Sequence, residues 1–205
     1  MSSGLAGGPR RVVLTGGPGA GKTAVLELAR RDLCPHVEVL PESASILFGG
    51  GFPRDGSDAV KKGAQRAIYH VQVELERIAA WRADAIVALC DRGTLDALAY
   101  WPGPWDDFFH DLGTSMPAEL ARYAAVIHLR VPEDAGSYRK NAIRRESHRE
   151  ALEIDASLLE VWSHHPRRVV IEANGDFLVK ARSALRAIGD ELGEHRCAAG
   201  YREAG

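Results

Sequence analysis

Cysteine is scarce: three residues in 205, at Cys34, Cys90 and Cys197. No pair has Cys-x-x-Cys spacing. An odd number so far apart offers neither a disulfide framework nor a zinc site, so a reducing cytoplasmic setting is expected. No apolar run approaches the ~20 residues that span a bilayer, so no membrane partner is expected. The start, MSSGLAGGPRR, lacks the apolar core of a signal peptide. A dominant charge of one sign is also missing. The chain has 26 Lys/Arg against 28 Asp/Glu, a formal net charge of −2. That argues against a chain-wide basic surface for nucleic acid, though not against a local basic patch. There is no internal repeat and no low-complexity linker, and 205 residues suit one domain. Residues 10–194 are expected to form it, with 1–9 a flexible arm and 195–205 a fraying tail.

What is present alternates between two periodicities. Short runs rich in Val, Ile and Leu, at 11–15, 37–40, 85–90, 125–131 and 168–172, read as strands buried on both faces. Helical patterns fall between them, from the glycine cluster to about 33, then at 58–82, 94–100, 117–123, 149–164 and 176–193. Such alternation predicts an α/β domain around a mainly parallel sheet. In the long helix, Val60, Ala64, Ile68, Val71, Leu75 and Ile78 step by three or four and predict its core-facing stripe. Ser57 or Asp58 suits its N-cap. Two stretches dense in Gly, Pro and aromatics, 47–58 and 101–108, read as loops.

The segment Gly16-Gly17-Pro18-Gly19-Ala20-Gly21-Lys22-Thr23 matches G-x-x-x-x-G-K-[ST] in full, with a strand before it and a helix after. Glycines let successive backbone N–H groups turn inward toward phosphate oxygens, and the helix adds the positive end of its dipole. Lys22 supplies a compact charge for β- and γ-phosphates, and Thr23 a hydroxyl for Mg²⁺. Nucleotide, with ATP and Mg²⁺ as the expected cofactors, is the ligand this motif predicts.

A second metal-site group is expected at another strand end. Residues 85–90 deliver Asp91 at the sheet's carboxyl edge, followed by Arg92, whose fork suits phosphate. The plainer reading makes Asp91 a helix cap. Glu42, just past the second strand, is placed to accept a proton from an attacking hydroxyl or to contact metal-bound water; a stabilising place in a helix's first turn is its alternative. A basic segment, about 136–150, holds Arg139, Arg144 and Arg145, which are expected to close over a triphosphate as a lid; a solvated charged helix is the bland reading. Tyr69, Gln72 and Glu76, with Gln65, share a helix face that would border an acceptor or be simply hydrated. Trp101, Trp105, Phe108 and Phe109 either wall a pocket or bury a loop, with a slight lean toward the pocket. His128, inside a strand, reads as a core histidine.

Taken together, VVLTGGPGAGKT, VLPESA, ALCDRGTLDALAYWP and the basic segment after VIHLRVP resemble the small P-loop kinases: thymidylate kinase, deoxynucleoside kinases, ribosylnicotinamide kinases and a family of AAA-type kinase-like proteins. The resemblance spans about 11–192. It implies a three-layer P-loop NTPase fold with sheet order 2-3-1-4-5, helices on both faces and a basic lid. It implies an ATP-dependent phosphotransferase with a small, nucleoside-like acceptor, Glu42 as base, Arg92 on acceptor or phosphate, and Asn174 and Gly175 near adenine. Two features depart from that pattern on the acceptor side: Gly93 follows the Asp-Arg pair where Tyr or Ser is usual, and Glu42 follows a proline rather than preceding one. A hydrolase, a polynucleotide 5′-hydroxyl kinase and a non-catalytic ATP switch are the alternatives, the second disfavoured by the near-neutral charge.

Overall fold

The computed structural model describes residues 8–33, 35–82, 84–134, 147–173 and 176–193. Most of the expected arm, the tail and nearly all of the basic segment lie outside these residues.

Five strands form one parallel sheet: β1 (Arg10–Thr15), β2 (Val37–Leu40), β3 (Val87–Asp91), β4 (Ala125–Leu129) and β5 (Arg168–Ile171). Their order is β2-β3-β1-β4-β5, as the resemblance implied. Alternate residues point to opposite faces of a strand, and here both faces are covered. Val12 and Leu14 of β1 join one core with α1 (Lys22–Asp32) and α7 (Phe177–Asp190), whereas Val13 joins a second core on the other face. That second core contains residues of α3 (Asp58–Ala79), a 3₁₀ helix (Thr94–Tyr100) and Trp162. The helix α6 (His148–Val161) opens on a capping box, with Ser147 and Glu150 exchanging side-chain and backbone hydrogen bonds. Asp176 caps α7 through the Leu178 N–H. Among the described residues no helix is long and apolar enough to cross a membrane.

Three expectations need correction. The buried face of α3 is not the predicted stripe: Ile78 is 59% exposed, whereas Gln65, Gln72 and Glu76 are buried beside Ala64, Tyr69, Val73 and Ala79. Gln72 and Glu76 take this face because a buried hydrogen-bond network satisfies them, which periodicity cannot reveal. Both glycine- and proline-rich stretches contain helix. One includes the end of α2 (Ser43–Gly49), and the other the start of α4 (Trp105–Leu112). Pro104 as N-cap of α4, Asp106 and Asp107 in its first turn, and Gly113 in the left-handed conformation at its end are start and stop signals, not loop signals. A shorter helix, α5 (Met116–Leu120), follows where 117–123 was expected.

Trp162 ties the second core to the end of β3. Its indole is fully buried and donates to Asp96 Oδ1 at 2.7 Å. The same ring lies over Gly93, where a Cβ would come within 2.8 Å of both Trp162 Cζ2 and Val13 Cγ2. This packing explains why glycine follows Asp91-Arg92. Gly93→Ala overpacks the contact and is expected to cost about 1–3 kcal/mol. Urea unfolding measures it; an unchanged midpoint would show that the indole has room to move.

Candidate active site

The phosphate-loop motif leaves the central strand at its carboxyl end. Gly16 has φ 135, and a Cβ there would stand 2.1 Å from the Leu129 carbonyl oxygen of β4. Only glycine turns the chain in that space. The loop ends at Gly21, the N-cap of α1, whose first turn contains no acidic residue. The helix's positive end therefore faces the loop without a carboxylate of its own there. Lys22 folds back on the loop and donates to Gly16 O at 2.6 Å and Gly17 O at 3.1 Å. Burial, then the neighbouring Arg92 charge, lower its ammonium to about 8, against the pull of Asp91, Glu42 and Asp96. Thr23 follows, exposed to solvent.

Asp91 ends β3, and its Cα pairs in register with Leu14 of β1, one strand over from the loop. Its Oδ1 is buried without a hydrogen-bond partner. Burial raises the carboxyl to about 6, partly countered by Lys22. An orphaned carboxylate oxygen in charge range of Lys22 and Glu42 fits a hard divalent cation. Mg²⁺ takes oxygen ligands and is satisfied by one or two carboxylates plus phosphate and water. The residues present therefore suit that ion.

Arg92 has φ 75, a strained conformation for a side chain of its size, costing about 1–3 kcal/mol. The turn points its guanidinium across the cleft: Nε donates to Glu42 Oε1 at 2.6 Å and Nη1 to Asp96 Oδ2 at 3.4 Å. Asp96 is buried and also accepts from Thr15 Oγ1 at 2.7 Å, so β1, β3 and Trp162 meet on one carboxylate. Glu42 stands as the N-cap residue of α2, though its side chain makes no cap bond. Burial pushes its pKa up, but the Arg92 charge and hydrogen bonds from Ser45 and Arg92 prevail and hold it at about 2. So paired, Glu42 is a weak base and a strong hydrogen-bond acceptor.

A cavity of about 700 Å³ opens on this corner, walled by Pro18, Glu42, Arg92, Gln65, Tyr69 and Phe48 among others. Its volume suits a small-molecule ligand. Tyr69 and Gln72 line it as the helix face predicts, but their polar ends are engaged behind the wall. Tyr69 OH donates to Glu119 Oε1 at 2.8 Å. Gln72 accepts from Ser43 Oγ at 2.8 Å and donates to Glu76 Oε1 at 3.1 Å. Glu76 is held in turn by Tyr123 OH at 2.7 Å and by Arg122. Gln65 differs: 8% exposed, on the cavity wall, its amide is bonded to no described residue. The aromatics of 101–109 do not wall the cavity. Trp101 and Phe108 are buried in the second core, ring centroids 5.3 Å apart and edge to face.

Of the expected site residues, Pro18, Glu42, Arg92, Tyr69 and Gln72 line this cavity, and Lys22 and Asp91 lie within charge range of Glu42 and Arg92. Arg139, Arg144, Arg145, Asn174 and Gly175 lie outside the described residues. Arg149, at the edge of the basic segment, is exposed and pairs with Glu153 at 2.9 Å on the surface of α6. Sequence reasoning does not find Asp96, nor two further groups at the loop, Asp155 and Lys180. The available signal was a charge flanked by apolar residues, as in LDAL, IDA and LVKA.

Comparison with known proteins agrees with this architecture. A family model described as AAA domain matches residues 11–180. No curated protein matches the sequence. Among solved structures, NadR protein in complex with NAD and AMP-PNP superposes with a TM-score of 0.63 at 14% identity, over 90% of this chain and 50% of that one. NadR in complex with NR gives 0.65 at 16% identity, over 90% and 51%. Deoxyadenosine kinase from M. mycoides, with dCMP and a flexible dCDP bound, gives 0.60 at 15% identity, over 88% and 99%. The chain therefore spans about half the length of the NadR structures, and at these identities the likeness shows a shared fold.

Asp91 supplies a test that needs no ligand. Its carboxyl keeps its proton up to about pH 6 in the folded protein, against an ordinary 3.8, so ionisation at higher pH costs the folded state stability. Asp91→Asn removes that cost. In metal-free buffer it is expected to be more stable than wild type by about 1–3 kcal/mol above pH 6, the gain fading to nothing below about pH 4. Denaturant unfolding across pH measures it; a destabilised variant at pH 8 would mean that Asp91 is paired after all.

Proposed function

The chain belongs to the AAA domain family, and from that starting point we propose that it is an ATP- and Mg²⁺-dependent phosphotransferase acting on a small, nucleoside-like hydroxyl or phosphate acceptor. One observation carries the proposal: Pro18 of the phosphate loop is itself part of the wall of the 700 Å³ cavity that Glu42 and Arg92 also line. Donor phosphates on the loop and an acceptor in the cavity would meet at that corner.

Phosphoryl transfer passes through a loose transition state, so the protein's work is positioning and charge neutralisation more than covalent chemistry. The amides from Gly19 to Lys22 would hold β- and γ-phosphates, with Lys22 exchanging its two loop carbonyls for phosphate oxygens. Thr23 and Asp91 would hold Mg²⁺, which neutralises charge on the transferring group when bound. Arg92 contributes a fixed positive charge on the acceptor side. Glu42, held ionised by Arg92, would accept a hydrogen bond from the acceptor hydroxyl and so aim its oxygen. Arg139, Arg144 and Arg145 would cover the phosphates, and Asn174 and Gly175 the base. A cytoplasmic enzyme fits this chemistry.

Lys22→Ala leaves the core contacts intact and is expected to lower ATP-dependent transfer at least about 100-fold. The assay is ATP consumption screened against nucleosides, nucleotides, cofactor precursors and a 5′-hydroxyl oligonucleotide. Turnover near wild type in that variant contradicts the assignment. ATP hydrolysis that no acceptor suppresses would contradict transfer in favour of a hydrolase.

A further inference from the structure

The phosphate loop is gripped from behind by side chains outside its own motif. The Gly17 N–H donates to Asp155 Oδ1 at 3.0 Å. Three residues on, the Ala20 carbonyl accepts from Lys180 Nζ at 2.8 Å. Between them the Ala20 N–H donates to Gly17 O at 3.2 Å and closes the turn. Both grips meet at one residue beyond β4: Arg130 donates through Nε to Asp155 Oδ2 at 2.7 Å, and its carbonyl accepts from Lys180. Asp155 is fully buried on α6, and Lys180 is 7% exposed on α7. His128 Nε2 lies 2.8 Å from Asp155 Oδ1, and the Val131 N–H donates to Oδ2 at 3.3 Å. The packing leaves no slack. A Cβ on Gly17 would stand 2.6 Å from the Ala151 carbonyl oxygen and 3.0 Å from Asp155 Cβ.

These contacts are costly to build for stability alone. Buried charges forfeit hydration, and well-packed apolar residues of similar volume commonly stabilise a fold as well or better. The two groups also do not bond each other; each is directed at a backbone atom of the loop. We propose that Asp155 and Lys180 are positioning residues of the phosphate loop, fixing the peptide planes at Gly17 and Ala20 so that the amides beyond them are set for phosphate before nucleotide arrives. The inference rests on the functional reading above and goes beyond it, since neither residue touches the cavity or belongs to the motif. It follows the general rule that a binding constellation is only as rigid as the groups that hold its own members in place.

The test uses the full chain with Lys180→Met, which keeps length but removes donor and charge, and Asp155→Ala as a second variant. Calorimetry with Mg-ATP is read beside backbone hydrogen exchange and thermal unfolding in the nucleotide-free protein. Lys180→Met is expected to bind Mg-ATP about tenfold more weakly, the scale of one lost charge-assisted hydrogen bond. Exchange should accelerate most across residues 16–23, with the melting temperature lowered by only about a few degrees and the fold retained. Asp155→Ala should shift affinity and loop exchange in the same direction. Wild-type affinity and exchange in Lys180→Met overturn the proposal. So does a variant that unfolds, because the contact is then structural. The functional reading fails separately: a wild-type protein that binds no Mg-ATP, or a Lys22→Ala variant that binds it undiminished, removes the premise itself.

Discussion

An unpaired carboxylate oxygen at the end of β3 is the constraint around which this structure is arranged. Asp91 is buried beside Lys22, yet Lys22 turns to the loop carbonyls, and Arg92 turns to Glu42 and Asp96. Three carboxylates and two cations thus share one corner, and the pairing is incomplete by one oxygen. A buried polar atom without a partner costs about 1–3 kcal/mol. A fold keeps such a debt where a ligand settles it, and strained or unsatisfied groups cluster at functional sites for that reason. The left-handed Arg92, next in the chain, belongs to the same pattern.

The parallel sheet brings this corner about. β1 is central, and the loop leaves it at the point where the chain order runs to β3 on one side and β4 on the other. Ligands of open parallel sheets bind outside the carboxyl ends of strands at such a point. Thr15, Asp91 and Glu42 follow or end three adjacent strands and so fall together. The second core then sets the acceptor side. Trp162, Asp96 and Gly93 lock the exit of β3, while the network from Ser43 through Gln72 and Glu76 to Tyr123 stiffens the far wall of the cavity. That network spends the polar ends of Tyr69 and Gln72 on the protein and leaves Gln65 facing the cavity.

What could be read in advance was what is local in the chain. The phosphate loop declares itself in eight consecutive residues, and all five strands do so in their runs of Val, Ile and Leu. The α3 face was misjudged because three of its buried positions, Gln65, Gln72 and Glu76, are polar, and polar burial depends on partners elsewhere. α4 was hidden by composition: Pro104 and Gly113 punctuate a helix as readily as a loop. Asp96, Asp155 and Lys180 were out of reach for a plainer reason. Their partners Thr15, Gly17 and Ala20 lie 81, 138 and 160 residues away in the chain, and no spacing rule extends so far.

The most direct measurement is a crystal structure of the chain with Mg²⁺ and a non-hydrolysable ATP analogue. The account predicts phosphates seated on the amides between Gly19 and Lys22, the Lys22 ammonium moved from the loop carbonyls onto phosphate, and the metal shared between Thr23 and Asp91. Phosphates bound elsewhere, or an Asp91 side chain turned away from a metal that is present, would contradict it.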